Sequence, residues 1–125
     1  MRVYAHCTPP GGNAPAGSVT AIILNLGAAS AAIDIEVGSG LSGNVAAFQL
    51  TPRAAPGLTP ATGLNGTGVS LNGQLLALHQ TSGAVPDLMA MAVHRNSSAN
   101  LALPPTSISF FVLRDAAAAA CYGSN

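Results

Sequence analysis

The sequence predicts an all-β chain, an antiparallel β-sandwich of about eight short strands, forming one domain over residues 1–125. Three observations carry this expectation. Short β-type runs recur, each closed by Gly, Pro or Asn. No stretch sustains a helical apolar period over the roughly 10 to 12 residues that would mark a helix. Asn72-Gly73 sits between two apolar runs, where it supplies the two positive-φ positions of a type I′ hairpin turn. Of the 125 residues 61 are apolar, but 24 of those are alanine, so 37 larger groups remain. That suffices for one core and no more.

Taken in order, the first predicted strand is Arg2 to Cys7, followed by a Pro/Gly-rich loop from Thr8 to Gly17. Val19 to Leu26 and Ile33 to Val37 come next, then Val45 to Thr51. The stretch Pro52 to Gly68 is a 17-residue loop without apolar period, longer than the roughly 12 to 15 residues at which structureless loops become uncommon. It reads as an insertion or a binding loop. Val69 to Leu71 and Gln74 to His79 flank the Asn-Gly turn, and Leu88 to Val93 is a further strand.

Ser107 to Arg114 places Ile108, Phe110 and Val112 on one face and Phe111 and Leu113 on the other. A strand apolar on both faces calls for cover on both, one face meeting the opposing sheet and the other a loop, a domain or a partner. Ala116 to Ala120 is too short to repay helix nucleation and is read as a last strand.

Charge excludes several functions. Only four Arg and four acidic residues occur, 6% of the chain with zero formal net charge, against about 25% in an average soluble protein. Arg2, Arg53, Arg95 and Arg114 stand singly, without the clustered basic face that nucleic acid requires. The long uncharged stretches, Val3 to Ile33 and Ala54 to Pro86, are broken by Pro and Gly, so neither is a transmembrane segment of about 20 apolar residues. The apolar run after Arg2 lasts from Val3 to Ala5, shorter than a signal-peptide core.

Candidate chemistry is sparse. Asp34 and Glu36 lie two apart on one predicted strand face, about 6.6 Å at 3.3 Å per residue, near the separation of a retaining glycosidase pair. Catalytic carboxylates, however, flank the scissile bond from different elements, and neighbours on one strand more often form a solvated face. His6, His79 and His94, with Cys7 or Asp87, lack the close spacing of a zinc site, so no metal or other cofactor is expected. Serines are plentiful, but no Gly-x-Ser-x-Gly elbow occurs.

Five segments, read together, carry a family resemblance. They are Arg2-Val-Tyr-Ala-His-Cys-Thr8, Gln49-Leu-Thr-Pro52, Val69-Ser-Leu-Asn-Gly-Gln-Leu-Leu76, Pro105-Thr-Ser-Ile-Ser-Phe-Phe-Val-Leu-Arg-Asp115 and Ala119-Ala-Cys121. In order and spacing they resemble the C-terminal region of heparanase-type endo-β-glucuronidases, nearest the plant heparanase-like branch. The alanine enrichment and the loop from Pro52 to Gly68 depart from the pattern.

The resemblance implies a division of labour. Such enzymes are retaining glycosidases whose two catalytic glutamates sit on a (β/α) barrel preceding this region, and the C-terminal sandwich packs against that barrel. Glu36, the only glutamate here, matches neither motif, so no catalytic residue carries over and the chain alone is expected to be inactive. The family's sandwich also takes strands from the polypeptide before the barrel, so this sheet is expected to be incomplete. The resemblance further implies a disulfide between Cys7 and Cys121, and an extracellular, secretory or vacuolar setting. The positions of the two cysteines near the chain's ends suit a terminal staple, the other reading being two buried free thiols. Asn65-Gly-Thr and Asn96-Ser-Ser are N-glycosylation triplets. The expected partner is the barrel, and glycan contact belongs to an alternative, a stand-alone carbohydrate-binding or structural sandwich. A sugar platform would need exposed aromatics. Phe48, Phe110 and Phe111 read as core, which leaves Tyr4 and Tyr122.

Overall fold

A computed structural model of the chain describes residues 1–9, 14–36, 44–53, 68–96 and 99–122. Its fold is all-β and antiparallel, with nine strands among those residues: β1 (Arg2–Cys7), β2 (Val19–Asn25), β3 (Ala31–Ile33), β4 (Val45–Pro52), β5 (Val69–Leu71), β6 (Gln74–Leu75), β7 (Val93–Arg95), β8 (Leu101–Leu103) and β9 (Ser107–Leu113). A seven-stranded sheet runs β1-β2-β9-β4-β5-β6, with β7 also on β4, and β3 pairs with β8 in a second sheet. The two layers make a sandwich-like arrangement of unequal halves.

The core lies between the layers. Phe111, fully buried on β9, pairs with Ala21 on one side and Ala47 on the other. Two alanines beside one phenylalanine let a large ring fill the layer without overpacking, which gives part of the alanine enrichment a structural purpose. Leu113 lies between Val19 and Val45 in the next row. Leu101 and Leu103 of β8 cover these rows from above, with Ala31, Ile33 and Ile35 packed at the side.

Buried polar groups are paired. Asn25 Nδ2 donates to the carbonyls of Ala29 and Pro104, both at 2.9 Å, and its Oδ1 accepts the Gly27 N–H at 3.1 Å, so one amide ends β2 and ties it to the connection after β8. Ser107 Oγ donates to the Pro104 carbonyl at 2.7 Å. Gln49 Nε2 reaches from β4 across to the Ala102 carbonyl of the small sheet.

Several sequence expectations are corrected. Of the strand expected over Ile33 to Val37, Val37 lies outside the described residues and only Ile33 is strand, within Ala31–Ile33, because its partner β8 is only three residues long, bounded by Asn100 at φ 54° and by Pro104. β8 itself was not anticipated. The strand expected over Gln74 to His79 stops at Leu75, since β5 offers only three residues to pair with, and the chain then turns with the His79 N–H on the Ala84 carbonyl at 2.9 Å. Leu88 to Val93 is mostly turn: Asp87 Oδ1 accepts the N–H groups of Met89 and Ala90, and the strand begins at Val93. Ala116 to Ala120 is no strand either. A short 3-10 helix spans Ala119–Cys121, and the Ala118 N–H donates to the Gly17 carbonyl at 2.9 Å, which draws the segment onto the turn before β2. The loop expected over Pro52 to Gly68 lies mostly outside the described residues, but the Arg53 N–H donates to the Gly68 carbonyl at 2.9 Å and closes its base.

Candidate functional site

Among the described residues the unequal layers leave a groove of about 460 Å³ where the small sheet does not cover the large one. Its floor is the inner face of the first two strands, with Val3 and Ala5 from β1 and Ala21 and Ile23 from β2. Strand alternation puts these four on one side, because partners across a ladder share a face. Ile33 and Ile35 form the wall, half-buried, while Asp34 and Glu36 stand exposed at the rim. Asp34 and Glu36 thus share a solvent-facing side, and Asp34 Oδ1 accepts the backbone N–H of Asn100. That bond joins the end of β3 to the start of β8. The groove suits an extended apolar segment better than a charged or strongly polar ligand.

The opposite face of the large sheet is apolar as well. Tyr4, Ile22, Phe110 and Phe48 form one cross-strand row, beside a row of Leu24, Ile108 and Leu50. Ile108 is 39% exposed and Tyr4 49%, and Phe48 and Phe110 are half-buried. The expectation that Phe48 and Phe110 belong to the core is therefore corrected; of the three phenylalanines Phe111 alone is core. The reason is parity: Phe110 and Phe111 are neighbours on one strand and must point apart, and among the described residues the second layer covers one face.

Cys7 and Cys121 are joined by a disulfide. It fastens the end of β1 to the short C-terminal 3-10 helix. Close by, Gly17 adopts φ +84°, and a Cβ placed there would meet Tyr122 Cζ at 2.7 Å, so the turn and the aromatic ring are matched to each other. The Ala118 bond to Gly17 completes the clasp.

The remaining candidate residues do not come together. His6 and His94 lie at opposite ends of one row across the outer face, through Thr20, Val112 and Ala46. His79 sits in a turn with Thr81 Oγ1 3.1 Å from its Nδ1. Among the described residues no three His, Cys, Asp or Glu side chains converge as a metal site would require. Asn96 is exposed just after β7, whereas Asn65 and the two serines of the Asn96 triplet lie outside the described residues. Among the described residues no helix is long and apolar enough to cross a membrane.

Sequence reasoning passed over three side chains that organise this scaffold: Asn25, Gln49 and Asn72. Asn72 was assigned only its turn geometry, confirmed at φ 49°. Its side chain also bridges the gap where β4 changes partner from β5 to β7. Nδ2 donates to the carbonyls of Ala47 (2.9 Å) and Met91 (2.7 Å), and Oδ1 accepts the Gln49 N–H at 3.0 Å. For β8 a signal did exist: Leu101-Ala-Leu103 alternates between Asn100 and Pro104.

No family model matches the chain, and no curated protein matches it significantly.

Proposed function

We propose that the chain is the non-catalytic C-terminal β-sandwich of a heparanase-like glycoside hydrolase, whose role is to pack against and stabilise a (β/α) barrel that cleaves β-glucuronidic bonds. The observation that carries this reading is the mismatch of layers among the described residues, seven strands against two, with an apolar groove open beside β3. A strand supplied by polypeptide preceding the barrel would lie over Val3, Ala5 and Ile35 and extend the small sheet. The joined Cys7 and Cys121 agree with the same resemblance. Secretion, and N-glycans at Asn65 and Asn96, go with it. The low charge also fits, because few charged groups guard this surface against association.

The test is expression in a eukaryotic secretory host, alone and together with the preceding barrel region of a heparanase-like enzyme. The expected result is poor recovery alone and a soluble complex with the barrel. A highly soluble chain with a cooperative melt and no affinity for the barrel overturns the reading.

A second reading, a stand-alone carbohydrate-binding module, is favoured by one observation. Tyr4 and Phe110 occupy the same outer row two strands apart, about 10 Å at roughly 4.8 Å per strand, on a face that could stack sugar rings. Retention on immobilised glucuronic-acid polysaccharide, abolished by Tyr4→Ala, would favour it over barrel docking.

A further inference from the structure

We infer that β1 is a self-pairing edge, through which two copies of this chain join their large sheets across a two-fold axis. This does not rest on the function proposed above.

Edges of sheets invite pairing because they carry a row of N–H and C=O groups with no partner, and proteins blunt them with brevity, Pro, Lys or bulges. Among the described strands, β6, β7, β3 and β8 are two or three residues long. β1 is different. It runs six residues, Arg2 to Cys7, without Pro or bulge and with one charged side chain, Arg2, at its first position; it pairs only with β2 among the described strands, and has five of its six residues exposed.

The ladder tells which groups face outward. The Thr8 N–H donates to the Ser18 carbonyl at 2.9 Å, in the same register that pairs His6 with Thr20 and Tyr4 with Ile22. Hydrogen-bonding pairs alternate along an antiparallel ladder. Even-numbered residues of β1 therefore point their backbone groups at β2, and Val3, Ala5 and Cys7 point theirs away from the sheet.

Those outward groups are complementary to themselves. With Tyr4 on the two-fold axis, Val3 of one copy pairs with Ala5 of the other, twice by symmetry, and each pair exchanges both its N–H and C=O groups. Tyr4 then faces its own copy as a pair without backbone hydrogen bonds, and Arg2 faces His6 rather than a second Arg2. Inner faces stay on one side of the joined sheet. Val3, 59% exposed in the single chain, gains a neighbour, and the floors of the two grooves run together. A second copy is the occupant favoured here because this register keeps every apolar residue on its own face and needs no sequence but that of β1.

A contact of one strand pair is small, and small interfaces are weak. The expected behaviour is concentration-dependent association, with the mass of the full chain in light scattering rising from 12.3 kDa towards twice that value. Ala5→Pro removes an outward N–H and leaves the β2 ladder intact, as Pro is tolerated on edges. It should hold the chain monomeric at every concentration with its melting temperature nearly unchanged. Tyr4→Cys supplies a second readout: Cα atoms of such a pair stand about 4.5 Å apart, within disulfide range, so a covalent dimer should form on mild oxidation. Val85→Cys, at a site 71% exposed and far from β1 in sequence, serves as the control for random cross-linking. A wild-type chain that stays monomeric, an Ala5→Pro chain that still dimerises, or equal cross-linking of both cysteine variants overturns the inference.

Discussion

Replacing Asn72 separates two jobs that one residue performs. Its backbone needs φ 49° to close the β5–β6 hairpin, and glycine meets that need without steric cost. Its side chain makes three hydrogen bonds, two donated to Ala47 and Met91 and one accepted from Gln49, all at the point where β4 changes partner. Asn72→Gly therefore keeps the turn and deletes the bridge. At a net value of about 1 kcal/mol per bond the loss comes to about 3 kcal/mol. Water reaching this half-buried site offsets part of that, and the added freedom of glycine in the unfolded chain restores up to about 1 kcal/mol of the cost. The expected destabilisation is about 2–4 kcal/mol, a large share of the roughly 5–15 kcal/mol that holds a domain folded. Asn72→Ala should lose more, because a Cβ in the left-handed region adds about 1–2 kcal/mol. Urea unfolding followed by circular dichroism measures both variants, and amide exchange at Gln49 should lose its protection in each. An Asn72→Gly protein within about 0.5 kcal/mol of wild type would show that the residue serves the turn alone, and would refute the bridge.

Two more predictions follow from the same geometry. The disulfide closes 114 residues, so the paired change Cys7→Ser and Cys121→Ser should cost about 4–5 kcal/mol in the chain-entropy treatment, read as a lower urea midpoint. A cost under about 1 kcal/mol would mean that the β2 ladder and the contacts around Gly17 already hold both ends. Phe111→Ala should cost about 3–5 kcal/mol, as for other buried aromatics, while Phe110→Ala, one residue away, should cost far less because its ring is half-buried on the outer face. Equal losses in thermal melts would show that both faces of β9 are covered.

Local signals were readable wherever a strand carried its own boundaries. β1 and β5 match their expected limits, and β2, β4 and β9 lie within one residue of theirs at each end, because apolar runs and flanking turn residues define them. The hairpin at Asn72-Gly73 was legible for the same reason, since positive φ at two successive positions is a local demand. Expectations failed where a partner set the length. β3, β6 and β7 are limited by the short stretches of β8, β5 and β4 that pair with them. The groove was not legible, since its lining residues come from four segments, β1, β2, β3 with the residues after it, and β9, that no local pattern joins.

The sequence by itself determined the class of this protein: short alternating runs, turn residues between them and eight charged groups in all leave an all-β chain with a small core. It also determined that the neighbours Phe110 and Phe111 point to opposite faces, because a strand has period two. Only the tertiary structure decided which of those faces is the inside. Burial depends on where the second layer lands, and β3 with β8 covers Phe111, Leu113 and Ile23 while leaving Tyr4 and Ile108 exposed. It likewise decided that Asn72 bridges β4 to the segment before β7, since a side chain's hydrogen bonds are set by the backbone groups that distant parts of the chain bring within 3 Å of it.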